Sequence, residues 1–179
     1  MARVLRIPID IRSPEQTGIA GNSFWTVRSG TVSQMGYWAF LGNTSGGSGT
    51  GVKATGGIVY GLVNIPINID LNTTPRVILS MGASATAASL SAWRVASFEI
   101  ATGIVYDPAS WQNVNAVNWT APTTAWSKYD LSFTLNSATT GDMTLAIKIE
   151  RDSDGTSATE NCTAVIGVFD AFLEFTATA

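Results

Sequence analysis

Glu150, Asp152, Asp154, Gly155 and Glu160 set carboxylates at alternating positions around a glycine bend, the pattern by which a short loop wraps a hard cation such as calcium. The first ligand position holds Glu instead of Asp, the closing Glu160 arrives one residue early, and strand-like residues flank the loop. The alternative is a plain Asp154-Gly155 turn kept solvated by its carboxylates. A second chemistry lies in Trp111, Trp119 and Trp126, three of six tryptophans, within one Asn- and Thr-rich stretch. Indole faces stack on sugar rings while amides and hydroxyls bond their hydroxyl groups; the same side chains also fill cores and subunit interfaces.

Other chemistries find little material. The chain has no His and one Cys, Cys162, so it lacks the commonest metal ligand and general base and cannot form an internal disulfide; Cys162 reads as an inert core thiol. Asp107 with Asp130, or Glu99 with Glu174, would be the carboxylate pairs of a hydrolase, but no spacing brings them together and no Ser or Cys has a base at hand. Gly46 and Gly51 have P-loop spacing, yet Val52-Lys53-Ala54 follows where Lys and Ser/Thr are required. Asn43, Asn72, Asn118 and Asn161 begin Asn-x-Ser/Thr triplets, the ordinary yield of a chain with 39 Ser and Thr. An enzyme is therefore not expected, and no cofactor is implied.

The 179 residues carry 10 Lys and Arg against 13 Asp and Glu, a net charge of −3, with the basic residues scattered. Nucleic-acid binding needs a basic stripe and is disfavoured. Charged residues are 13% of the chain against about 25% in an ordinary domain, so the surface is hydroxyl-rich and suits close packing against neighbours. The apolar runs, such as Ile58 to Val63, are too short to cross a bilayer, and the Arg-containing N-terminus is expected to be mature strand, not a signal peptide.

The elements that position these residues are strands. From Lys128, Tyr129, Leu131, Phe133 and Leu135 alternate with polar residues; from Asp142, Met143, Leu145, Ile147 and Ile149 do the same, and the two segments are expected to pair antiparallel. Residues 5–11 and 63–71 each contain Ile-Pro-Ile, which places the proline at a sheet edge or where no donor is needed. Further strands are expected at 24–28, 36–41, 76–81, 93–100 and 162–175, the last apolar on both faces and so either central in a sheet or part of a subunit interface. Residues 83–92 are the best helical candidate, with little to bury. Eight or nine strands predict one all-β domain over residues 1–179, an antiparallel sandwich of jelly-roll type. Leu131, Phe133, Leu145, Ile147, Val165 and Phe169 are expected in one core, 1–16 as an N-terminal arm and 42–57, with seven glycines, as a flexible loop.

The phrases Arg3-Val4-Leu5-Arg6-Ile7-Pro8-Ile9, Asn72-Thr73-Thr74-Pro75-Arg76-Val77 and Gly141-Asp142, with Ile147 to Asp152, Val165 to Val168 and Phe175, together resemble small tailed-bacteriophage virion proteins of jelly-roll type. The resemblance implies a non-enzymatic structural protein of the virion. Its first expected role is capsid decoration, as a homotrimeric cement protein on the major capsid protein or another virion protein. The alternative is a receptor- or glycan-binding module of a head or tail fibre, with host glycan as partner. No catalytic residues follow from it.

Overall fold

The computed structural model describes residues 3–14, 23–29, 34–40, 57–67, 73–84, 89–100, 111–113, 117–135, 143–151 and 161–177. They form twelve strands: β1 (Arg3–Pro8), β2 (Asp10–Pro14), β3 (Ser23–Ser29), β4 (Gln34–Phe40), β5 (Ile58–Ile65), β6 (Arg76–Ala83), β7 (Leu90–Ile100), β8 (Gln112–Asn113), β9 (Val117–Thr120), β10 (Tyr129–Thr134), β11 (Met143–Arg151) and β12 (Ile166–Ala177). The first sheet runs β10-β6-β12-β4-β3, with β1 also on β12; the second runs β2-β5-β11-β7-β8, with β9 also on β7. Every pairing is antiparallel. From β4 onward the long strands alternate between sheets, giving β4-β12-β6-β10 against β5-β11-β7-β9, the jelly-roll order.

That winding corrects one expectation. The segments at 128–135 and 142–151 do not pair: β10 lies on β6 in the first sheet, and β11 between β5 and β7 in the second. Alternation shows that each has one apolar face, but not which layer it joins. Phe133 and Leu135 instead belong to the same core as Leu145, Ile147 and Ile149, supplied from the opposite sheet. Twelve strands replace eight or nine because the N-terminal segment divides at buried Ile9 between the sheets, and because β8 and β9 lie where the sequence has no clear alternation.

The residues expected as an arm are paired along most of their length: β1 on β12 and β2 on β5. Pro8 ends β1, an edge strand, as its missing donor requires, whereas β5 stops at Ile65 just before Pro66, and residues 68–71 of the expected strand lie outside the described residues. The helical candidate is strand at both ends, Ala83 closing β6 and Leu90 to Ala92 opening β7, and 85–88 lie outside the described residues. Of the glycine-rich segment only Gly57 is described; its carbonyl accepts the Arg151 N–H at 3.1 Å.

The C-terminal strand is apolar on both faces for a geometric reason. β12 is central, with β6 along one edge and, on the other, β4 against Ile166 to Val168 and β1 against Phe172 to Ala177. A register shift between Val168 and Asp170 changes the parity. Ile166 and Val168 therefore join Ala171, Leu173 and Phe175 in the core, while Phe169 is turned to the outer face and Val165, before the strand, is half-buried. Strict period two across a bulge misplaces both. The expected core otherwise holds for Phe133, Leu145 and Ile147, with Leu131 packed at its margin.

Candidate functional site

The three tryptophans of the Asn- and Thr-rich stretch go to three places. Trp119, on β9, is buried in the core. Trp111 lies half-buried across the outer face of the second sheet, 5.8 Å from the Tyr60 ring, 6.0 Å from Phe98 and 5.9 Å from Lys148 Nζ, touching side chains of three neighbouring strands. Lys148 and its partners there are largely covered, so Trp111 acts as a cover for that face.

Trp126 lies on the opposite side of the molecule. It is the one non-glycine among the described residues with positive φ, at 61°, a conformation that is a true outlier for a bulky side chain. Its N–H donates to the Ala83 carbonyl at 2.7 Å, which holds the turn in place. The indole is thereby set 4.9 Å from the Tyr37 ring and 6.3 Å from Phe169, with Tyr37 and Phe169 themselves 6.1 Å apart. Beneath the three rings lie Gly82 and Gly167, paired in register on β6 and β12. A Cβ on Gly167 would stand 2.7 Å from Tyr37 and 3.0 Å from Trp126; one on Gly82 would stand 2.9 Å from Phe169. The missing side chains let the aromatic rings settle directly on the sheet.

Polar groups follow along the same face. Ser80, two residues from Gly82, donates its hydroxyl to Asp130 Oδ1 at 2.6 Å, and Asp170 is paired with Ser80 across β12. Beyond Ile78 and Phe172, Arg6 Nε donates to Glu174 Oε2 at 2.9 Å, and Arg76 Nη2 donates to Glu174 Oε1. Arg6 also approaches Asp130 to 3.9 Å. Their strands, β1 and β10, are separated by β12 and β6, three strand spacings or about 14 Å in a flat sheet. Side chains of Arg6, Asp130 and Glu174 reach across this face, and Ile78 and Ser80 on it are buried although they point away from the core.

The ionisation of Glu174 does not suit a general acid. The Arg6 hydrogen bond, with help from Arg76 and against the cost of burial, holds the Glu174 carboxyl below the ordinary carboxylate value. A general acid needs the opposite shift. Because the folded carboxyl titrates lower than the unfolded one, at about 4.3, its stabilisation is full above that pH and is lost as pH falls through the folded value. Glu174→Gln is accordingly expected to unfold at lower urea than wild type at neutral pH, with the difference vanishing in acid; a difference that persists at low pH would contradict this assignment. Of the carboxylate pairs a hydrolase would need, Glu99 is in the second sheet and Glu174 in the first, while Asp107 is outside the described residues. The pair that does converge, through Arg6, is Asp130 with Glu174.

Of the calcium candidates, Glu150 is engaged by Arg94 at 2.8 Å and Lys148 at 3.8 Å on the second sheet; Asp152, Asp154 and Glu160 fall outside the described residues. Among the described residues no group of three acidic, Cys or His side chains could hold a metal. Cys162 is buried. Asn161 Oδ1 accepts the Leu90 N–H at 2.6 Å, and Asn118 is exposed on β9; Asn43 and Asn72 are not described. Sequence reasoning missed Tyr37 and Phe169. The only available signal was Gly167 inside an otherwise apolar strand, which marks a close approach to the backbone.

No family model matches the chain, and no curated protein does. Among solved structures it is similar to a CBM4 carbohydrate-binding module at 14% identity, covering 90% of this chain and 84% of that one, TM-score 0.42. It is also similar to the K1 cleaved adhesin domain of Lys-gingipain from Porphyromonas gingivalis W83 at 16% identity, covering 98% and 91%, TM-score 0.41. A third likeness is to a family 11 carbohydrate-binding module from Clostridium thermocellum, in complex with a mixed-linked tetrasaccharide, at 9% identity, covering 96% and 87%, TM-score 0.38. These likenesses are in sandwich shape, and no residue's role is carried over from them.

Proposed function

We propose that this chain is a non-enzymatic glycan-binding module whose site is the outer face of the first sheet. The observation that carries this reading is Trp126, held at positive φ with its indole beside Tyr37 and Phe169 above two glycines. Residues kept in costly backbone conformations cluster at ligand sites, and an aromatic surface bordered by a few fixed polar groups is the usual make-up of a sugar site. In the phage setting implied by the sequence resemblance, the module belongs to a head or tail fibre of the virion and meets host surface glycan, assembled as a homotrimer. Capsid decoration has no comparable support among the described residues.

The test is binding to immobilised glycans by wild type and Trp126→Ala. The variant is expected to lose at least about tenfold in affinity, the worth of one good aromatic contact, while still folding cooperatively. Undiminished binding by a folded variant would remove the site from this face.

A further inference from the structure

We infer that the ligand of this face is a neutral oligosaccharide chain lying along β6 and β12, one ring on Trp126, which is backed by the buried Tyr37, and a later ring on Phe172, with its hydroxyls bonded to Asp130 and Asp170 in between. This rests on the glycan reading above and adds the ligand's charge, length and direction.

The strand register orders the groups. Gly167 opposite Gly82 lies under the rings; next comes Asp170 opposite Ser80, which is itself opposite Asp130; then Phe172 opposite Ile78; then Glu174 opposite Arg76. Side chains on one face recur every second residue, so Ile78 and its neighbour Phe172 lie about 13 Å from Gly82 along the strand. That distance exceeds the width of one sugar ring, so a single sugar cannot use both aromatic contacts. Between them the face offers acceptors. Asp130 and Asp170 are carboxylates, and the Ser80 hydroxyl proton is already given to Asp130. Hydroxyl donors complement such a row, whereas an anionic sugar would meet like charge on Asp130 and Asp170. Arg6 and Arg76 offset this only in part, because Glu174 takes up one of their two charges and Arg6 faces Asp130, so the row as a whole stays net negative.

The experiment is calorimetric titration of the full chain with gluco-, galacto- and manno-oligosaccharides of increasing length, and with uronic-acid oligomers of matching lengths. One neutral series is expected to bind more tightly with each added sugar until Phe172 is reached, and no further. Phe172→Ala should lose about tenfold on the longer members and nothing on the shortest; Phe172→Leu, which keeps an apolar side chain but no ring face, should behave alike. Uronic-acid oligomers should not bind. Trp126-dependent binding with no length dependence, or uronic-acid oligomers binding as well as neutral ones, would overturn this inference and leave the glycan reading standing. Absence of binding by every sugar would overturn both.

Discussion

Arg151→Met is expected to destabilise the fold by about 3–5 kcal/mol, measured by urea unfolding. Arg151 continues the inward row of Leu145, Ile147 and Ile149, and its side chain is fully buried. The guanidinium is occupied by main chain: Nη1 donates to the Phe40 carbonyl at 3.2 Å and the Ala164 carbonyl at 2.8 Å, and Nη2 to the Cys162 carbonyl. Its own N–H holds Gly57 ahead of β5. One side chain thus joins the end of β4 to the approach to β12, across the two sheets. Methionine fills much of the volume but donates nothing, leaving buried carbonyls without that donor, each such loss costing about 1–3 kcal/mol. A change below about 1 kcal/mol would mean that water takes over those carbonyls and that the clamp is dispensable.

Trp93→Ala should be comparably damaging, roughly 3–5 kcal/mol, while leaving any glycan affinity of the folded fraction intact. Trp93 is fully buried, packs edge-on against Phe40 at 4.9 Å between centroids, and donates its indole N–H to Ser91 Oγ at 2.7 Å. Its removal leaves a large cavity in the middle of the sandwich. Trp126→Ala is the counterpart, the same substitution with the opposite emphasis: loss of binding and a smaller loss of stability than at fully buried Trp93. If Trp93→Ala proved mild and Trp126→Ala unfolded the protein, the division between core and site tryptophans would be reversed.

Alternation alone revealed most strands and the burial of Phe133, Leu145 and Ile147, because a half-buried strand writes its period directly into the sequence. Sheet membership was not legible in the same way. Two amphipathic strands look identical whether they are hydrogen-bonded neighbours or face each other across a core, and the jelly-roll winding separated β10 from β11. The bulge at Phe169 was hidden because one extra residue inverts the pattern without altering composition. For the site, the sequence pointed to Trp126 by type but grouped it with Trp111 and Trp119; only the fold sends those to the other outer face and the core. Tyr37 comes from β4, about 90 residues earlier in the chain, a juxtaposition created by strand order and not by any local spacing.

The central claim is that glycan binds the outer face of the first sheet through Trp126, and nuclear magnetic resonance of the labelled full chain tests it most directly. On titration with the tightest-binding glycan, the Trp126 indole N–H and the Gly82 and Gly167 amides should shift together, while the Trp111 indole and the Ala96 and Lys148 amides stay in place. Shifts centred on Trp111 and its face, or no glycan-dependent shift at all, would contradict it.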